Sequence, residues 1–152
     1  MVAFFVTIIA LVLGDQFIKL QAVNRLSGMN SIPIIKDVLE LTYVENRGAA
    51  FGMLEGKQIF LVLITTIVVV AIAIYYKKLP ADSKYKWLKL SFILIISGAI
   101  GNLIDRIRLS YVIDYIYFKL IDFPVFNLAD CFVVVGTILL SILILFVYKE
   151  DI

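Results

Sequence analysis

Four stretches of this chain are almost without charge, and its polar residues are gathered between them. The first covers about residues 2–20 and is interrupted by Gly14-Asp15-Gln16 and by Lys19. The second, 59–76, holds 18 residues without a charge. At 1.5 Å per residue such a helix reaches about 27 Å, enough to cross the hydrocarbon core of a bilayer. The third and fourth cover about 87–105 and 130–148. The β-branched run at 67–70 does not predict a strand, because an open strand in lipid leaves its backbone groups unsatisfied. The pattern predicts an integral membrane, mainly α protein: four transmembrane helices in a single membrane-embedded domain over 1–152. The first stretch reads as a retained helix, since no basic residue precedes its apolar run and no A-x-A-like site follows it.

The intervening segments differ in kind. Residues 21–57 mix charges with Pro33, Gly28, Gly48, Gly52 and Gly56. Within them 37–45 alternates, with Leu39, Leu41 and Tyr43 on one face and Glu40 and Thr42 on the other. Period two with Val, Thr and Tyr predicts a strand, and Asn46-Arg47-Gly48 a turn. A small β-structure outside the lipid core follows. Residues 77–89 hold five lysines against one Asp, which marks this loop as cytoplasmic by the positive-inside rule. Both termini then lie in the cytoplasm, and 21–57 shares the outer face with the 105–130 connection.

Composition narrows the chemistry. The chain is 62% hydrophobic with a mean hydropathy of +1.03, well above soluble domains. A net charge of +2, without a basic stripe interleaved with aromatics, excludes nucleic acid as a partner. The one cysteine, Cys131, permits no intrachain disulfide and reads as a small apolar helix residue. With no histidine, Ser-His-Asp and Cys-His catalysis and His-ligated metal sites are excluded. Acid–base chemistry falls to Asp, Glu, Lys or Tyr. Nothing calls for a metal or a cofactor.

The candidate chemistry lies in 98–130, which holds four Asp, two Asn and two Arg beside segments apolar enough for lipid, where charge is costly and marks function. Asn102, Asp105 and Arg106 fall on one helix face. They read either as a polar helix end or as a shelf that steers a carboxylate or a carbonyl. Asp114 sits among aromatic and aliphatic neighbours, which desolvate a carboxylate. Asn127 and Asp130, at i and i+3, read first as a cap on the last helix. Asp114 and Asp130 are 16 positions apart, on a connection that leaves and re-enters the membrane at one face. Two carboxylates brought together share a proton, so one can activate water while the other protonates a carbonyl oxygen. Asp15 and Lys19, at i and i+4, read first as a helical ion pair and otherwise as support for the site. Asn46 offers donors and an acceptor to a bound backbone. Asp122 is expected to face solvent. A non-enzymatic alternative is a small transporter or assembly factor using Asp114, Asp130 and Arg106 as an ion or proton relay.

Five motifs occur in order between the apolar spans: Asp15-Gln16-x-x-Lys19; Asn46-x-Gly48-Ala49-Ala50-Phe51-Gly52; Gly98-Ala99-x-Gly101-Asn102-Leu103-Ile104-Asp105-Arg106; Val112-x-Asp114; and Phe126-Asn127-x-Ala129-Asp130. The set resembles the bacterial lipoprotein signal peptidase (signal peptidase II) family over nearly the whole chain. The resemblance implies four transmembrane helices with a small extracytoplasmic β-cradle, and an aspartic endopeptidase of the bacterial cytoplasmic membrane. It would cut prolipoproteins before a diacylglyceryl-modified cysteine. Asp114 and Asp130 are the catalytic pair it implies, with Asn102, Arg106 and Asn127 as polar site residues and Asn46 and Gly48 as the extracytoplasmic loop motif. Asp15 falls on a residue of mainly structural importance. Membrane lipid and lipidated prolipoproteins are the expected partners, and a monomer the expected state. Two departures from the family pattern stand out: Ser97 in place of a Gly, and Tyr115 in place of a Phe, the latter expected to alter hydrogen bonding to Asp114.

Overall fold

The computed structural model describes residues 2–49 and 53–148. The Ala50-Phe51-Gly52 part of the loop motif and the C-terminal Lys149-Glu150-Asp151 lie outside them. Among the described residues four helices are long and apolar enough to cross a membrane. These are α1 (Val2–Leu26), α2 (Gln58–Lys78), α3 (Lys86–Leu109) and α4 (Leu128–Ile142), the last extended by a π-helical turn, Leu143–Val147. Three short strands form one antiparallel sheet in the order β1 (Ile32–Ile35), β2 (Leu39–Asn46) and β3 (Val112–Phe118).

The third helix is the centre of the bundle. Half of its most apolar window is buried inside the protein, against 6% for α2 and 11% for α4. Those two therefore turn most of their apolar surface outward, as helices do when lipid is the solvent. Glycines set the close approach of α3 to α4 and to α1. A Cβ on Gly98 would strike the Ala129 carbonyl oxygen of α4, and one on Gly101 would stand 2.6 Å from Asp15 Oδ2 of α1 and 3.2 Å from the Ala129 Cβ. Gly98→Ala must push the start of α4 away, so a stability loss of about 1–3 kcal/mol is expected. A lowered thermal midpoint of the purified protein in detergent checks it.

Several boundaries differ from the sequence expectation. The first helix runs to Leu26 instead of ending near 20, because Ala22 and Leu26 continue its apolar face and pack on Ile113 and Tyr115 of β3. The strand expected at 37–45 begins at Leu39, since Asp37 takes a left-handed turn conformation (φ 59°). It runs through Asn46, which closes a strand rather than opening a turn. The third helix continues to Leu109, beyond the expected end at 105. The fourth starts at Leu128 rather than 130, with Asn127 as its cap. The lysine-rich loop shortens to 79–85, because α2 extends through Lys78 and α3 starts at Lys86. Lys89 donates from within that helix to the Pro80 carbonyl at 2.5 Å, and Tyr148 donates to the Lys84 carbonyl.

β3 was absent from the sequence expectation. Its residues do not alternate between apolar and polar, and with Asp114 in mid-strand the run falls within the expected polar connection. It is paired with β2, with Val44 opposite Asp114 and Asn46 opposite Val112. The sheet thereby delivers Asn46 and Asp114 together to the end of the bundle where α3 stops and α4 begins.

Candidate active site

The polar end of the bundle is a single network across five elements. Asn127 is its junction and is fully buried. Its side chain caps α4, accepting from Asp130 N at 2.9 Å, while Asp130 Oδ2 accepts from Asn127 N at 3.1 Å. This reciprocal box satisfies two otherwise orphaned donors. The Asn127 amide also donates to Asp114 Oδ1 at 2.6 Å and to Asn102 Oδ1 at 3.1 Å. Asn102 in turn donates to Asp130 Oδ1 at 2.7 Å. The two carboxylates thus bracket one asparagine, and the cap reading and the site reading of Asn127 and Asp130 describe the same geometry.

Asn46 approaches from the sheet and donates to Asp114 Oδ2 at 2.9 Å. Its carbonyl oxygen accepts from Gly48 N at 2.9 Å, which shapes the chain beyond the strand. The Gly48 carbonyl accepts from Arg106 Nη2 at 3.0 Å. Arg106 Nε is buried and has no partner among the described residues. Both Arg106 and the two carboxylates line a cavity of about 1200 Å³. Its remaining wall is largely apolar, with Ile64 and Val68 from α2 and Val133 and Val134 from α4. A polar head on an apolar channel suits a ligand that is part peptide and part lipid-soluble.

Burial, and after it the charge of Asp130, raise the Asp114 carboxyl from its usual range to about 7. The hydrogen bonds from Asn46 and Asn127 oppose this without cancelling it. A carboxyl so placed exchanges its proton near neutrality, as an acid–base group must.

Behind the pair lies a second, wholly buried layer. Asp15 and Lys19 do form the i, i+4 ion pair, at 3.1 Å. They also reach other helices: Lys19 Nζ is 2.8 Å from Asp105 Oδ2, and Asp15 Oδ1 accepts from Ala129 N at 3.0 Å. Asp105 Oδ2 also accepts from Ile113 N at 3.2 Å, tying α3 to the strand that carries Asp114.

Sequence reasoning assigned no role to Gln16, which donates to Asp105 Oδ1 at 3.0 Å and to the Gly101 carbonyl at 3.1 Å. Its place beside Asp15 was the available signal. Tyr115 does not bond Asp114. Alternation along β3 turns it to the other face, where its hydroxyl accepts from Leu128 N at 3.2 Å. Asp122 is exposed and accepts from Tyr117 Oη at 2.6 Å.

Four apolar spans around a buried polar site define a multi-pass membrane protein. The chain matches the family described as signal peptidase (SPase) II over residues 7–146. It is 46% identical over 147 residues to the lipoprotein signal peptidase of Halothermothrix orenii, covering 97% of this chain and 96% of that one. Against the lipoprotein signal peptidase of Clostridioides difficile the identity is 48% over 143 residues, with 93% and 95% covered. A solved structure described as a bacterial membrane enzyme superposes with a TM-score of 0.83 at 30% identity, over 99% of this chain and 92% of that one. A second, described in the same words, gives 0.83 at 31%, with 97% and 95% covered. The chain belongs to the signal peptidase II family, and so to the proteases.

Proposed function

We propose that this protein is an intramembrane aspartic endopeptidase that removes signal peptides from prolipoproteins, cutting before the diacylglyceryl-modified cysteine. The observation that carries the reading is the pair Asp114 and Asp130, bracketing Asn127 at the polar head of an otherwise apolar cavity. One carboxylate takes a proton from water as the oxygen attacks the scissile carbonyl. The other gives its proton to the carbonyl oxygen, and the tetrahedral intermediate collapses as the amide nitrogen is protonated and leaves. Arg106 Nε and Asn46 are the donors that hold the substrate backbone. Asn102, Asn127, Gly48, Asp15 and Lys19 hold the pair and its surroundings in place. The substrate's acyl chains remain in the bilayer and enter the cavity between α2 and α4.

The same reading puts both termini in the cytoplasm and the site near the extracytoplasmic face of a bacterial cytoplasmic membrane, with the enzyme working as a monomer. A Ser-Lys mechanism is less well supported. Ser97 is buried and donates to the Ile93 carbonyl at 2.7 Å, and the buried lysine is held by Asp15, Asp105 and Asn102.

The test is purified protein incubated with a diacylglyceryl-modified prolipoprotein and with its unmodified form. Cleavage of the modified substrate only is expected, with a bell-shaped pH dependence. The acid limb marks protonation of both carboxyls, which leaves no base. The alkaline limb marks loss of the shared proton, which leaves no acid, and it should begin at about pH 7, where the Asp114 carboxyl lies. The two limbs belong to the pair and not to either residue. Equal cleavage of both substrates, or proton-coupled flux in vesicles without cleavage, would sink the reading in favour of the relay.

A further inference from the structure

Lys19 is 1% exposed and spends its whole ammonium on three acceptors from two helices. These are Asp15 Oδ2 at 3.1 Å, Asp105 Oδ2 at 2.8 Å and Asn102 Oδ1 at 2.9 Å. A helix pair needs only the first of these. An ammonium buried in a bundle loses its hydration and is tolerated only when well paired, so the third contact calls for an explanation. It is found at Asn102. The Asn102 oxygen takes two donors, Lys19 Nζ and Asn127 Nδ2, while its amide nitrogen donates to Asp130 Oδ1. Turned end for end, an asparagine amide has nearly the same shape but the opposite polarity. A reversed Asn102 would set its N–H groups against the ammonium and its carbonyl oxygen against the Asp130 carboxylate. With the cation in place, only one orientation is open.

We propose that Lys19, although remote from the cavity wall, is a positioning residue for the carboxylate pair: it locks the Asn102 amide with its donors on Asp130, and its charge keeps the pair singly protonated. The inference rests on the aspartic reading given above. Lys19 pairs with Asp15 on its own helix and Asp105 on α3 and acts on Asp114 on β3; Arg106 on α3 and Asp130 on α4 complete the charged cluster, Arg106 facing Asp130, Asp114 and Asp105. The cluster as a whole holds two cations and four carboxyls, one of which carries the shared proton. Without Lys19 the excess negative charge grows by one, and the pair binds protons more tightly. In keeping with this, the charge of Lys19 lowers the proton affinity of Asp114, opposing the larger effects of burial and of Asp130.

The experiment measures kcat and KM across pH for the wild type, Lys19→Gln and Lys19→Arg, with Asp114→Asn and Asp130→Asn alongside, on a diacylglyceryl-modified prolipoprotein peptide. For Lys19→Gln a fall in kcat of about tenfold or more is expected, with KM within about twofold. Both limbs should move to higher pH by about half a unit. Lys19→Arg keeps the charge but not the three-acceptor geometry, so kcat falls while the bell stays in place. A merely structural lysine would lower the amplitude and the thermal midpoint without moving the bell. An unmoved bell in Lys19→Gln, or a raised KM at unchanged kcat, overturns the inference. Should Lys19→Gln fail to fold, Lys19→Met takes its place with the same expected displacement of the bell, and an unmoved bell there, or a displaced bell in Lys19→Arg, overturns the inference. Inactive Asp114→Asn and Asp130→Asn with an unmoved Lys19→Gln bell would remove only the role of Lys19; near-normal cleavage by either Asp variant would remove the pair itself.

Discussion

Asp114→Asn and Asp130→Asn are each expected to reduce cleavage of a lipidated prolipoprotein by about a thousandfold or more while the protein remains folded and inserted. The size follows from the chemistry, because a carboxamide at neutral pH can neither accept a proton from water nor give one to a carbonyl. Each acid–base role contributes about a hundredfold to ten-thousandfold. The fold should survive because the replacement is isosteric. At position 114 the remaining carbonyl oxygen still accepts from Asn127 or from Asn46, which now donate at 2.6 and 2.9 Å. At position 130 it can keep either the Asn102 amide or the Asn127 N–H of the capping box. One strained donor–donor contact is left in each variant, a stability loss of about 1 kcal/mol. Single-turnover cleavage together with a thermal melt in detergent separates the two effects. Near-wild-type cleavage by either variant would mean that the pair is not the catalytic machinery.

The second large effect is expected at Asn127, where two variants divide architecture from chemistry. Asn127→Ala removes the cap of α4 and the bonds to Asp114, Asn102 and the Ile113 carbonyl together. Loss of the cap alone is worth about 0.5–2 kcal/mol, and cleavage should fall by about a hundredfold as Asp130 loses its fixed place. Asn127→Asp is more telling. Aspartate caps a helix as well as asparagine does, so most of the stability should return. It also replaces the amide that donates to Asp114 by a third carboxyl, at a buried position where like charges cannot all ionise. Activity should stay at least as low as in Asn127→Ala, and any residual activity should have its bell displaced to higher pH. Recovery of cleavage in Asn127→Asp would show that Asn127 matters only as a cap.

Much of this molecule is legible in its sequence, for reasons that can be named. Lipid is an unforgiving solvent for charge and for unpaired backbone, so four nearly uncharged runs predict four helices with little ambiguity. The same expense makes Asp15, Asn102, Asp105 and Asp130 conspicuous within or at the ends of those runs, and Asp114 conspicuous among the apolar residues between them. β3 was harder. It is rich in β-branched and aromatic residues but lacks the alternation that marks β2, and a strand is stabilised by the partner it pairs with, here β2, some 70 residues earlier in the chain. The end of α1 was missed for a similar reason, as Ala22 and Leu26 are helical where they bury against β3.

The sequence by itself determined the number of membrane helices, the absence of histidine chemistry and the two carboxyls worth suspecting, because each depends on solvation or on residue identity alone. Only the tertiary structure decided how those carboxyls are held. Contacts such as Asn127 to Asp114, Asn46 to Asp114, Lys19 to Asn102 and Asp15 to Ala129 join residues 13 to 114 positions apart. No local pattern specifies them: they arise when Gly98 and Gly101 let α3 and α4 close together and the sheet delivers β3 to that junction. Polarity along the chain is a local property, whereas the direction in which a buried amide donates is fixed by its neighbours in space.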